Sequence, residues 1–355
     1  MRYLVEELPR VDSLNILVDG RVPVRVVSLS GVKIELEVVD EVGKLEVVDI
    51  LFPNEIKLRG SELRFVQNGL CYSSRLRYFG DRVNVLSMAM DLEEKWSKKW
   101  LLSMGHISFS CIGCKKVLLQ KGDNVTKLNS LPSEFWMELM DYWHCHKPHV
   151  EGQAVVDYSK KYNSLQPSQG ELLLGPSVLC CSQLTLDSSR ITIAEGSVVC
   201  VSCDSLLGVV ENDGLLKLNK WCLLLNDIER FPPEQHVISS ISSHVINNSV
   251  RYFILRNGKD HLFIWVFAIG INVSFTNGQI YKNSIKLLYK EDIDQELCSK
   301  VNIENISVME LPYNDFIENI KNVNKSIPED ARSLNGWNVS YVPLITSSPS
   351  SFTPA

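Results

Sequence analysis

The chain has 355 residues, 45% of them hydrophobic and 22% charged, enough for two or three domains and too apolar for wholesale disorder. Its formal charge of -6 disfavours a general nucleic-acid binder, which needs a basic face for phosphates. The opening residues from Met1 to Glu7 carry no apolar leader, and the most apolar run, Leu262–Ile271, is far shorter than the roughly 20 residues of a membrane-spanning helix. No membrane partner is expected, and the ten cysteines read as reduced thiols or metal ligands rather than a disulfide framework.

Residues 1–105 read as short strands between turns. Lys33 to Val38 alternates charged and apolar residues, the mark of a half-buried strand. Asp19-Gly20, Ser30-Gly31 and Asn68-Gly69 supply turn residues. The pattern predicts an N-terminal β-sandwich or small barrel, with a helix or a strand near Asp91–Leu101. Scattered lysines, Lys95, Lys98, Lys99, Lys115 and Lys116, read as a solvated surface.

Residues 106–215 hold the chemistry. Phe109-Ser110-Cys111-Ile112-Gly113-Cys114 and Val198-Val199-Cys200-Val201-Ser202-Cys203 share one form: an apolar strand, then Cys-x-x-Cys, then a return to apolar residues. Two such turns bring four thiolates together, the set that tetrahedral zinc prefers. Four sulfurs leave no open position, so such a zinc stabilises folding and does not activate water. Two unrelated pairs, or a thioredoxin-like dithiol, are the competing readings. The dithiol wants its first cysteine at a helix N-terminus, whereas strands flank both pairs here.

Between the knuckles, Pro132, Trp136, Leu139, Met140 and Trp143 fit a helix that Pro148 ends. His144, Cys145 and His146 follow its last turn, with His149 beyond. They could complete a site with Cys111 and Cys114, or form a second metal site with the vicinal pair Cys180-Cys181. They could equally make a partner surface, or merely cap the helix.

From residue 216 to 345 the pattern is α+β. A helix is expected from Pro232 to Ile246. Strands follow over Arg251–Leu255, His261–Ile269 and Ile271–Phe275, with Asn257-Gly258 as a hairpin turn. A second helix is expected over Tyr313–Val323. Residues 346–355 read as a disordered tail. The fold class expected for the whole is α+β and β-rich: N-terminal sandwich or barrel, central zinc-knuckle region, C-terminal α+β part.

The two knuckles, the second running on as Cys200-x-x-Cys203-x-x-x-Leu207-Gly208, flank a helix ending in Trp143-His144-Cys145-His146. Together with the strand at Ile264-Trp265-Val266, this resembles the eukaryotic HECT-like ubiquitin-conjugating-enzyme-binding proteins of the ubiquitin ligase D type. The resemblance implies a ubiquitin-conjugating enzyme as partner and a role in ubiquitination. For the fungal branch it implies an assembly factor of pre-mRNA 3′-end cleavage and polyadenylation, bound to the metallo-β-lactamase-type endonuclease subunit, in nucleus and cytoplasm. No catalytic residue carries over. The last cysteine, Cys298, stands among Asp292 and Glu296, and a nucleophilic thiol needs a base or a cationic setting. The leading expectation is therefore a non-catalytic, zinc-stabilised interaction factor for 3′-end processing, with a ubiquitin ligase or conjugating-enzyme binder as the alternative and no direct nucleic-acid contact.

Overall fold

The computed structural model describes residues 1–19, 25–39, 45–60, 63–69, 71–80, 95–131, 167–186, 188–211, 214–292 and 301–344. The chain forms two compact units, one from Met1–Leu92 with Glu234–Ala355 and one from Glu93–Pro233. The fold is β-rich α+β, as its strand and turn pattern predicts.

In the first unit, Tyr3–Leu8 pairs antiparallel with Ser13–Asp19, and Ser13–Asp19 pairs in turn with Cys71–Phe79. The other edge of Tyr3–Leu8 is taken by residues 272–275, from Leu4 opposite Phe275 to Glu7 opposite Asn272. The sheet continues through Ile280–Lys290 to Trp337–Pro343. A separate three-stranded sheet, Arg25–Leu29, Lys33–Val39 and Leu45–Leu51, packs over the N-terminal strands. Its middle strand keeps the predicted alternation: Ile34, Leu36 and Val38 face the core, while Lys33 reaches Glu35 and Asp49 at 2.8 and 2.9 Å on the outside.

Distant pairing of this kind leaves no local mark in the sequence. For that reason the compact units differ from the three consecutive domains expected at 1–105, 106–215 and 216–345. The N-terminal strands share a core of their own, but Tyr3–Leu8 also pairs with the C-terminal strand, and Leu215–Asn219, Leu223–Leu225 and Glu229–Arg230 fall in the second unit. The tail expected from residue 346 and the helix expected from Pro132 to Cys145 fall outside the described residues.

The expected strands His261–Ile269 and Ile271–Phe275 are one strand, Asp260–Phe275. Gly270, at φ +74°, lies at a register shift, and the strand bends there instead of ending. The hairpin before it has Asn257 opposite Asp260, so its loop is Gly258-Lys259, with Gly258 at φ +56°. Helices Glu234–Asn248 and Glu310–Ser326 lay Val237, Ile238, Ile241, Val245, Tyr313, Phe316 and Ile320 onto the sheet. The second begins a turn earlier than predicted. Pro312 sits in that first turn, where backbone N–H groups have no helical acceptor to lose.

Adjacent carboxylates on the first strand face opposite sides of this sheet, and both are buried. Glu6 accepts from Tyr341 Oη at 2.6 Å and Lys286 Nζ at 2.7 Å. Glu7 accepts from Asn54 Nδ2 at 2.6 Å, Asn272 Nδ2 at 3.0 Å and Tyr78 Oη at 3.0 Å. Burial, with Glu6 and Glu7 close by, holds both phenols above their usual range.

The second unit contains a four-stranded and a seven-stranded sheet. Trp96, Phe109, Leu118, Leu172, Leu179, Leu207, Leu218 and Leu223 belong to its core. In the segment expected as helix or strand, residues 91–94 lie outside the described residues. Lys98–Leu102 is a short helix whose first turn is capped by Ser97 Oγ, which accepts from Trp100 N at 3.2 Å.

Candidate metal centre

Each knuckle is a hairpin with the same backbone plan. Ser108–Cys111 turns into Val117–Gln120, and Ser197–Cys200 turns into Leu206–Val210. The first cysteine's carbonyl accepts from the residue after the second cysteine, Lys115 N at 2.8 Å and Asp204 N at 2.9 Å. The first cysteine's N–H donates to the residue after that, to Lys116 O and Ser205 O, both at 2.9 Å. Lys115 and Asp204 occupy the left-handed region, at φ +60° and +54°. This tight turn aims both sulfurs of a knuckle the same way.

The four sulfurs meet within 4.8 Å of one another. Cys111 and Cys203 stand 3.6 Å apart across the two hairpins, as do Cys114 and Cys200. Four thiolates bound at about 2.3 Å around one tetrahedral ion would stand about 3.8 Å apart, so the cluster could hold a metal ion with little adjustment. Cys111 and Cys200 are buried in the core, while Cys114 and Cys203 are exposed at the surface. Burial pushes the Cys111 thiol up to about 12, and the Ser205 hydroxyl, 3.2 Å from the sulfur, draws Cys203 down to about 6. A cation at the centre would favour the thiolate at every position.

Two glycines shape this centre. A Cβ on Gly113 would come within 2.6 Å of Ser205 Oγ and 3.3 Å of Cys203 Sγ, so a side chain there would displace the Ser205 hydroxyl and crowd the second knuckle. A Cβ on Gly208 would lie 2.0 Å from Lys217 O and 2.8 Å from Leu218 Cα. Those are backbone atoms of the paired strand and cannot swing away. Gly208→Ala should cost about 3 kcal/mol or more, read as a lower denaturation midpoint; an unchanged midpoint would mean that the strands separate freely at this point.

All four predicted metal-ligating residues are thus brought together. His144, Cys145, His146 and His149 lie outside the described residues. The vicinal pair sits on Val178–Ser182 with both side chains buried, Cys180 and Cys181 on opposite faces, and neither joins the sulfur cluster. Three of the scattered lysines make surface contacts, Lys95 with Glu229 at 2.8 Å, Lys98 with Asn129 Oδ1 at 3.1 Å and Lys116 with Ser189 O at 2.6 Å. Sequence reasoning missed Gly113 and Ser205, because their role appears only when the two hairpins face each other. Among the described residues no helix is long and apolar enough to cross a membrane.

An uncharacterized Saccharomyces cerevisiae protein is 31% identical over 353 residues, spanning 97% of this chain and 100% of that protein. An uncharacterized Schizosaccharomyces pombe protein is 22% identical over 277 residues, 75% of this chain and 79% of that protein. No solved structure matches the chain. The family described as HECT-like Ubiquitin-conjugating enzyme (E2)-binding matches residues 6–339, which takes in both hairpins and the strands of both units. The chain belongs to the HECT-like ubiquitin-conjugating-enzyme-binding family.

Proposed function

We propose that the chain is a zinc-stabilised, non-catalytic protein that binds a ubiquitin-conjugating enzyme. The observation that carries this reading is the family match across residues 6–339. The chemistry of the described thiols supports the non-catalytic part. A four-sulfur site has no open coordination position and so no water to activate. Tetrahedral sulfur sets take zinc or iron, and zinc is the ion proposed. Outside the cluster, burial pushes Cys71, Cys180 and Cys222 up to about 11 and Cys181 up to about 12. Thiols so far from ionising are poor nucleophiles at neutral pH. Cys145 and Cys298 lie outside the described residues.

The test is a binding and charging assay with purified chain, activating enzyme, labelled ubiquitin and a panel of conjugating enzymes. At least one conjugating enzyme should co-elute with the chain. No reductant-sensitive ubiquitin adduct should form on the chain itself. Failure of every conjugating enzyme to bind would sink the proposal. An adduct lost in Cys145→Ser would instead make the protein a ligase with that cysteine as acceptor.

The role in pre-mRNA 3′-end processing rests on the fungal-branch resemblance, and nothing in the comparisons supports the cleavage endonuclease as partner. Recovery of that subunit rather than a conjugating enzyme on affinity purification would be the result favouring it.

A further inference from the structure

The strand Cys71–Phe79 alternates from Tyr72 onward. Ser74, Leu76 and Tyr78 face the core, and Arg75, Arg77 and Phe79 face out. Leu58, paired with Tyr78, ends the neighbouring strand, and Arg59 and Gly60 follow it. Arg59, Gly60, Arg75 and Arg77 together line a concavity of about 470 Å³. Arg75 donates to Ser13 Oγ at 3.3 Å, and Arg59 lies over the Phe79 ring with its Cζ 5.3 Å from the centroid. Neither contact neutralises a charge. Among the described residues none of the three has a carboxylate partner, and Glu6 and Glu7 on the same sheet are committed to the donors already named. In a chain of net charge -6, three arginines lining one hollow without a paired carboxylate among the described residues are not explained by packing.

We infer that Arg59, Arg75 and Arg77 form a recognition site for a phosphomonoester. The choice of ligand follows from charge and oxygen count. Guanidinium forks match oxyanions in two-point hydrogen bonds. A carboxylate brings one charge and two oxygens, and a phosphodiester likewise has one charge and two free oxygens. A phosphomonoester brings nearly two charges and three terminal oxygens, one for each fork. Held by the Phe79 ring, Arg59 loses less freedom on binding than an unsupported side chain would. These arginines belong to a different unit from the sulfur cluster, and the inference does not depend on a ubiquitin-conjugating enzyme being the partner.

The experiment is calorimetric titration of the full chain with O-phosphoserine, inorganic phosphate, acetate and a short single-stranded oligonucleotide, at about 0.1 M salt so that loose surface attraction is screened. O-phosphoserine and phosphate should bind, and acetate should bind at least about tenfold more weakly. The Arg75→Gln/Arg77→Gln variant should weaken O-phosphoserine by about tenfold or more. Arg77→Lys keeps the charge and loses the fork, and should weaken it by about threefold or more. These side chains are exposed, so melting should be unchanged; Arg59→Gln, on a different segment, serves in their place if the double variant melts early. No binding of O-phosphoserine, or equal binding of acetate, overturns the proposal. Tighter binding of the oligonucleotide, lost in the same variants, overturns it in favour of a nucleic-acid surface.

Discussion

Cys200→Ser should abolish metal binding and lower the melting temperature of the unit formed by residues 93–233 by about 10 °C or more, because at a structural metal site binding free energy is folding free energy. The hairpins that carry the sulfurs join at the cluster, and Cys111 and Cys200 extend the core into it. Without an ion, the four sulfurs within 4.8 Å of one another make only weak contacts with each other, and the thiolate favoured at Cys203 has no cation at the centre to balance it. Metal analysis of purified protein should give about one zinc per chain, falling to none in the variant, and a strong chelator should reproduce the loss of stability. Cys180→Ser is the control. It removes a buried sulfur outside the cluster, so it should cost about 1 kcal/mol and leave zinc content intact. Metal-free protein that melts where the metal-loaded protein melts would reject a structural metal here.

The second large effect belongs to the other unit. Glu7→Ala should destabilise the other unit by about 3–5 kcal/mol. The carboxylate gathers donors from three places in the sequence: Asn54 beyond the small sheet, Tyr78 on the neighbouring strand set, and Asn272 on the C-terminal strand. Removing it leaves two buried donors, Tyr78 and Asn272, and the half-buried Asn54 without this acceptor, each buried one costing about 1–3 kcal/mol when orphaned. Glu7→Gln keeps an acceptor oxygen but turns an amide towards other amides, and should cost roughly half as much. By contrast Lys33→Ala, which breaks the exposed contacts with Glu35 and Asp49, should leave the midpoint close to that of the parent, because solvent screens such pairs. Denaturant melts of the three variants would order them. A Glu7→Ala midpoint equal to that of Lys33→Ala would show that water replaces the missing oxygen.

Much of this was legible in the sequence wherever the signal is local. The alternation at Lys33–Val38, the turn residues around Gly258, the apolar spacing of Phe316, Ile320 and Val323, and the two Cys-x-x-Cys turns all depend on residues a few positions apart. The cluster itself was legible because four thiols have one common use at that spacing. What could not be read depends on segments meeting from far away. Glu6 and Glu7 look like an ordinary charged start, and only the pairing of their strand with residues 272–275 buries them. Gly208 looks like a turn residue, and only the approach of Lys217 and Leu218 shows why no side chain fits. Three arginines spread over residues 59–77 look like solvated surface until the strands set them around one hollow.

The pairing of Leu4 with Phe275 also has a consequence for biosynthesis. About 270 residues separate the partners, and at 5–20 residues per second the ribosome needs roughly 15–50 s to supply the second one. Throughout that interval the strand Tyr3–Leu8 has its hairpin neighbour on one side and a bare row of backbone donors and acceptors on the other, an invitation to pairing with another nascent chain. The segment 93–233 is complete long before and can close around its own core while the ends wait. A host that makes this protein quickly and without chaperone cover should therefore yield aggregates seeded by the amino-terminal strands. Slower translation should raise the soluble fraction more than added zinc does.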